Sequence, residues 1–98
     1  MRYEIDFTEH AVQDYARLSA RWRAIVRDGI EAYLRHDPRK ESKSRIKRLR
    51  DVDWPEYRLR VDEVRVFYQV EGSSVQILAV VFKDEAEAWL QTFGQPKI

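Results

Sequence analysis

Three apolar runs joined by very short polar connections constrain the fold of this chain more than any other feature. The runs occupy residues 57–61, 64–70 and 75–82, and the connections are 62–63 and 71–74. The runs are rich in β-branched and aromatic residues, and connections this short that contain Asp, Gly and Ser are typical of hairpins. The pattern predicts a three-stranded meander. Its last run is almost continuously apolar, which indicates a central strand buried on both faces.

The residues ahead of the meander predict one strand and two helices. Residues 3–7 alternate between apolar and polar side chains, the period of a half-buried strand. Thr8 and Ser19 are good N-cap residues, and apolar residues recur at helical spacing behind each of them. Pro38 ends the second helix because its ring clashes with a continuing turn. Helices this close in sequence suggest an antiparallel helical hairpin.

A short helix is predicted after the meander. Its first residues are acidic, at 84, 85 and 87, where they favour the positive end of a helix dipole, and Gly94 and Pro96 end it. The whole pattern predicts one α+β domain over residues 1–98. We expect a small four-stranded, mostly antiparallel sheet, an N-terminal helical hairpin packed on one of its faces, and the short C-terminal helix. A chain of 98 residues has no room for a second core.

Positive charge is concentrated in one segment, although the net charge is only +1. Residues 39–50 contain seven Lys and Arg side chains against a single acid, Glu41. Such a run is most often a solvated connection, and the alternative is a surface that contacts phosphates. The chain has no cysteine, which excludes disulfides, a thiol nucleophile and a cysteine zinc site. The residues at the start lack the apolar core of a signal peptide, and no apolar run has the length of a membrane span, so a cytoplasmic protein without a membrane partner is expected.

Several segments, taken in order, resemble one protein family. YRLRV at 57–61, a two-residue turn and VRVFYQV at 64–70 resemble the recurring YRLRVGDYRVIY pattern of RelE/ParE toxins. YEIDF at 3–7 followed by a helix, RIKRLR at 45–50 after Pro38, and VFK at 81–83 resemble other parts of the same family. The chain thus resembles this family over nearly its whole length.

The resemblance implies the toxin of a type II toxin–antitoxin system, with a RelE-like fold, a cognate antitoxin as partner, and neither metal nor cofactor. RelE-like members cut mRNA in the ribosomal A site, which makes the ribosome and mRNA the expected partners. ParE-like members instead inhibit DNA gyrase without chemistry of their own. A third interpretation is a member without toxicity that serves only as a binding module. The same fold carries more than one of these functions, so the fold does not choose between them.

The candidate catalytic residues are three arginines of the meander. Arg58 and Arg60 are two apart on one strand and therefore share a face, and Arg65 follows the turn on the next strand. Three guanidinium groups on one face predict a phosphate clamp. The alternative is an exposed sheet with ordinary cross-strand ion pairs to Glu56 or Glu63. The expected RNA-binding and phosphate-binding residues are Lys43, Arg45, Lys47, Arg48, Arg50 and Lys83.

Two departures from the RelE pattern affect the expected chemistry. The family often has lysines at the positions of Arg58 and Arg60, and arginine is a poor general base because its pKa lies above about 12. The family also has an arginine after the last strand and a tyrosine beyond it, whereas here Lys83 follows the strand and no tyrosine follows Tyr68. The arginines are therefore predicted to stabilise charge, and proton transfer must come from another group or from the ribosome.

Overall fold

The computed structural model describes residues 1–97, which form three helices and two sheets. The elements in chain order are β1 (Glu4–Phe7), α1 (Glu9–Arg17), α2 (Ala20–Leu34), β2 (Ile46–Arg48), β3 (Val52–Trp54), β4 (Tyr57–Val61), β5 (Val64–Glu71), β6 (Ser74–Phe82), α3 (Lys83–Phe93) and β7 (Gln95–Pro96). Thr8 and Ser19 cap α1 and α2 as predicted, each accepting a backbone N–H bond with its hydroxyl. No helix within residues 1–97 has the length and apolar character needed to span a membrane.

The main sheet has the strand order β1-β6-β5-β4-β2. The predicted meander forms its antiparallel centre, β1 pairs parallel to β6, and β2 pairs antiparallel to β4. The α+β prediction and the mostly antiparallel sheet are confirmed, but the predicted count of four strands was wrong by one. The fifth strand, β2, lies inside the basic run, and only Ile46 of its three residues is buried, so it has no alternating pattern to reveal it. A small ribbon of β3 and β7 stands apart from the main sheet.

The larger core lies between one face of the sheet and the hairpin of α1 and α2. Tyr57, Leu59 and Val61 point into this core from β4. Gly29 of α2 is buried against β4, and a Cβ atom at this position would lie 2.7 and 2.8 Å from the two Val61 methyl groups. The glycine therefore permits the close approach of the helix to the sheet.

Gly29→Ala is expected to destabilise the protein by about 1–3 kcal/mol, because the added methyl group overpacks the contact with Val61. The same substitution in an unconstrained helix interior stabilises by about 1 kcal/mol. Urea unfolding of the single variant, and of the same change in a Val61→Ala background, measures both effects. We expect the sign to reverse in the second background, where the obstructing methyls are gone. Stabilisation of the single variant would contradict the packing described.

A smaller core covers part of the opposite face of the sheet. The buried residues Phe67, Ala79, Ala86 and Trp89 form it, so α3 lies on the side away from the helical hairpin. The Phe67 and Trp89 rings stack with centroids 4.8 Å apart and an interplanar angle of 9°. Trp54 of β3 packs against the same Trp89 ring, at 6.2 Å between centroids. This second core holds the C-terminal helix beside the exposed part of that face.

Asp14 of α1 is buried, with 7% of its surface exposed. Its carboxylate accepts the backbone N–H of Val80 at 3.0 Å. β1 ends at Phe7, opposite Ile77, and therefore leaves the rest of β6 without a strand on that side, while β5 pairs with its other side. The Asp14 carboxylate thus replaces a strand carbonyl at this edge, a contact that helical periodicity alone does not reveal.

Tyr68 makes the stability of the fold sensitive to alkaline pH. Its hydroxyl donates to the Pro38 carbonyl at 2.6 Å, and its pKa is raised by burial and, less strongly, by Tyr57 and Glu56. An unfolded tyrosine ionises near pH 10, so the stabilisation is complete below that pH and is lost as the pH rises towards the higher folded pKa.

Tyr68→Phe is expected to reduce the loss of unfolding free energy between about pH 9 and about pH 11, where wild type loses up to about 1.4 kcal/mol per pH unit through this residue. The variant also loses about 1 kcal/mol at neutral pH with its hydrogen bond. Urea unfolding across this pH range measures the slope. Equal slopes in the two proteins would show that Tyr68 is not the titrating group.

Candidate nucleic-acid interface

Strand register brings four cationic side chains to one face of the main sheet. Arg60 lies directly opposite Arg65, and Lys47 lies directly opposite Arg58. Directly opposed residues have Cβ atoms about 5 Å apart, so the four side chains form one patch. Alternation along β4 turns Arg58 and Arg60 away from the helical hairpin, as predicted. We call Lys47, Arg58, Arg60 and Arg65 the cationic face.

The turn between β4 and β5 helps to position Arg65. Its two central residues are Asp62 and Glu63, and Asp62 has a positive φ of 55°. Arg65 Nη1 donates to the carbonyl oxygens of Asp62 at 2.9 Å and Val64 at 3.1 Å. These bonds hold Nη1 of the guanidinium group against the turn. The donors on Nε and Nη2 take no part in them. The side chain is therefore oriented before any ligand arrives.

The arginines of the cationic face are close enough to affect one another. The pKa of Arg65 is lowered, first by burial and then by the positive charges of Arg58 and Arg60, while Glu63 opposes the shift. In residues 1–97 no ion pair includes any member of the cationic face. The arginines repel one another and have no carboxylate partner, and a bound anion would reduce this repulsion.

The glutamates that offered an alternative explanation contact other residues. Glu63 lies 3.0 Å from the Lys83 amine, and Glu56 lies 3.9 Å from Arg48. Glu56 also accepts the backbone N–H of Val70 at 3.3 Å. The cross-strand ion pairs between these glutamates and the three arginines are therefore not formed.

Arg58 contains a buried donor that lacks a partner. Its Nε atom is inaccessible to solvent and makes no hydrogen bond within residues 1–97. Its cross-strand neighbours are Lys47 on β2 and Phe67 on β5, and neither side chain accepts a conventional hydrogen bond when the lysine is charged. A buried unsatisfied donor costs about 1–3 kcal/mol, more for a charged group. Sequence reasoning missed the role of Phe67, although strand alternation places it on the same face as Arg65.

Only Lys47 among the six expected phosphate-binding residues joins the cationic face. Arg45 reaches the other side of the sheet, with its guanidinium carbon 5.1 Å from the centre of the Tyr33 ring. Arg48 lies over the Tyr57 ring at 5.5 Å and donates to its hydroxyl at 3.2 Å. Both side chains therefore pack beside the larger core.

The three other expected phosphate-binding residues lie around the edges. Arg50 is 3.5 Å from the Glu41 carboxylate, and Lys83 is paired with Glu63 as described. Lys43 is exposed in the loop before β2. Within residues 1–97 there is no group of three or more His, Cys, Asp or Glu side chains placed to hold a metal ion. The geometry thus separates Lys47 from the rest of the basic set.

The fold defines a small α+β protein whose architecture is similar to that of RelE toxins. Searches with family models and with curated protein sequences return no match. Solved structures do match: the toxin–antitoxin complex RelBE2 from Mycobacterium tuberculosis has 24% identity and a TM-score of 0.69, over 85% of this chain and 100% of the other. The archaeal RelE–RelB complex from Pyrococcus horikoshii has 20% identity and a TM-score of 0.67, over 85% and 97%.

The free toxin RelE of E. coli, in a double arginine-to-alanine variant, has the same fold. It shares 24% identity with this chain, with a TM-score of 0.67, over 91% of this chain and 92% of the other. Identities at this level establish a common fold. The predicted resemblance to RelE toxins is thus confirmed in the architecture, including the three helices and the mixed sheet.

Proposed function

We propose that this protein is the toxin of a type II toxin–antitoxin system and that it cleaves mRNA on the ribosome. The observation that carries the proposal is the cationic face, where four positive side chains converge without a carboxylate partner within residues 1–97. The RelE fold supports the toxin class, and the ribosome and mRNA would place the activity in the cytoplasm.

The chemistry uses the RNA itself as nucleophile. The ribose 2′-OH attacks the adjacent phosphorus and loses its proton, while the bond from phosphorus to the 5′-oxygen breaks and that oxygen gains a proton. The products are a cyclic phosphate and a 5′-hydroxyl end. Negative charge builds up on the phosphate oxygens during this step, and the guanidinium groups of Arg58, Arg60 and Arg65 are placed to stabilise it.

Proton transfer requires a group other than guanidinium, and Lys47 is the only amine of the cationic face. Lys47→Arg is expected to slow single-turnover cleavage by about tenfold to hundredfold. Arginine keeps the positive charge but does not give up a proton near neutral pH. RNA affinity should change little. Quenched-flow cleavage and RNA binding, measured on both proteins, separate the two effects. Wild-type rates in Lys47→Arg would restrict Lys47 to an electrostatic role.

Primer extension on mRNA from translating ribosomes tests the proposed activity. Wild-type protein should produce cuts in phase with codons, and Arg65→Ala should produce far fewer. The assay must use a preparation that arrests growth when it is induced, so that inactive protein does not explain a blank result. Growth arrest without codon-phased cuts would contradict the nuclease proposal.

A ParE-like inhibitor of DNA gyrase is the second candidate function. The observation that favours it is the dominance of guanidinium groups on the cationic face, since these bind anions well and transfer protons poorly. A supercoiling assay discriminates the two functions: gyrase unaffected by excess protein removes this candidate. Induced expression without growth arrest would instead support a binding module that lacks toxicity.

The expected partner is a cognate antitoxin. A groove of about 390 Å³ between β1 and the two N-terminal helices fits an amphipathic segment, with an apolar lining that includes Ile5, Phe7 and Val12. Val12 is 52% exposed, which is unusual for a residue on the apolar stripe of α1. We propose that an antitoxin covers this groove and presents acidic residues to the cationic face. Co-expression of the cognate antitoxin should restore growth.

A further inference from the structure

A second groove adjoins the cationic face, between α3 and the loop that follows β2. Its volume is about 410 Å³, within the range of pockets that hold small planar ligands. Leu49, Val52 and Leu90 are half-buried and form its apolar part. Such a lining favours a flat ring over a strongly hydrated group.

The polar lining of this groove contains both signs of charge: two cations, Lys47 and Arg50, two carboxylates, Asp51 and Glu87, and the amide of Gln91. Arg50 lies 3.5 Å from the carboxylate of Glu41, which is outside the groove. Glu87 and Gln91 lie one turn apart on α3, and Asp51 contributes a second carboxylate from the loop. Glu87 and Gln91 are exposed, and neither side chain makes a hydrogen bond or ion pair in the part of the chain that is described. The acceptor atoms of Glu87 and Gln91 on the α3 side of the groove are therefore available to a ligand group with N–H donors.

Lys47 connects the groove to the cationic face. Its side chain lines the groove, and the same residue lies directly opposite Arg58 on the neighbouring strand. The groove that Glu87 lines therefore adjoins the place where Arg58 would hold a phosphate. The cationic face thus offers hydrogen-bond donors to a phosphate, and the α3 side of the adjoining groove offers acceptors to a base.

We propose that this groove binds the base next to the phosphate held by the cationic face and prefers bases with an exocyclic amino group. The inference rests on the proposed function and adds a specificity site to it. Cytosine presents an amino group where uracil presents a carbonyl oxygen, and only the amino group can donate to Glu87. Base preference is thereby set on α3, while the cationic face holds the backbone.

Short single-stranded oligodeoxynucleotides of deoxycytidine or deoxyuridine test the inference directly. They lack the 2′-OH nucleophile, so they bind without being cut. Titrations followed by the methyl NMR signals of Leu49, Val52 and Leu90 should show binding in the groove. We expect deoxycytidine oligomers to bind about fivefold more tightly than deoxyuridine oligomers, the effect of one hydrogen bond.

Glu87→Gln is expected to reduce this preference to within about twofold, because an amide no longer offers two acceptor oxygens. Glu85→Gln is the matched control, since it removes the same charge from the first turn of α3 outside the groove. Equal binding of the two oligomers by wild type, shifts absent from the three groove residues, or equal loss in both variants would each overturn the inference. Groove signals that respond to the antitoxin alone would assign the groove to protein binding and overturn it as well.

Failure of the inference is distinguishable from failure of the proposed function. Codon-phased cleavage without base binding in the groove removes the specificity site and leaves the nuclease. Preferential binding of deoxycytidine oligomers by a protein that cuts no mRNA removes the nuclease and leaves a base-binding groove.

Discussion

Arg58→Ala is expected to reduce the proposed ribosome-dependent mRNA cleavage by about 10²–10³-fold, the usual effect of removing one preorganised donor from a site of developing charge. Arg58 is the member of the cationic face whose buried Nε atom has no partner within residues 1–97. Removing it also lowers the repulsion felt by Arg65, so the fold should not suffer. Rates from primer extension and thermal melts of the same preparations measure both effects.

Two further variants determine whether geometry or charge matters at this position. Arg58→Lys keeps the charge but loses the planar fork, so we expect it to recover only part of the activity. Arg21→Ala is the control, because Arg21 is exposed on α2 and lies outside the cationic face and both grooves. An Arg58→Ala protein that is folded and cuts as fast as wild type would exclude Arg58 from the reaction.

Phe67→Ala is expected to destabilise the protein by about 3–5 kcal/mol, a large share of the stability of a small domain. Phe67 is fully buried, stacks on Trp89 and lies directly opposite Arg58. Its loss opens a cavity between β5 and α3. Urea unfolding measures the change, and amide hydrogen exchange should show the largest loss of protection in α3.

Phe93→Ala provides a matched comparison for this effect. Phe93 also contacts Trp89, with ring centroids 5.4 Å apart, but 47% of its surface is exposed. We expect a cost below about 1 kcal/mol, because an exposed ring loses little burial and leaves no closed cavity. Similar costs for the two substitutions would contradict the second core as described.

The meander was predictable because its hydrophobic runs and short turns restrict the pairing to neighbours in sequence. The same alternation correctly placed Arg58 and Arg60 on one face. The fifth strand was not predictable, because β2 has three residues and only Ile46 is buried. The place of Lys47 on the cationic face depends on the register of that strand.

Other features of the site depend on contacts between distant segments. The sequence around Asp14 does not distinguish it from an exposed helix residue. Its bond with the Val80 N–H depends on where β1 stops along β6. The partners of Glu56 and Glu63 follow from the positions of Arg48 and Lys83, which local patterns do not specify. The groove requires α3 to lie beside the loop after β2, a tertiary arrangement without a periodic signal.

The pairing of β1 with β6 determines when a newly made chain can form the whole main sheet. Glu4 lies beside Ser74, so β1 gains its neighbouring strand only after β6 has been synthesised. Contacts this far apart in sequence slow folding, because a long loop must close first. A nascent chain that stops before residue 74 carries all four cations of the meander and β2 without the strand and helix that support them. The cationic face therefore gains its supporting elements only after β6 and α3 have been translated.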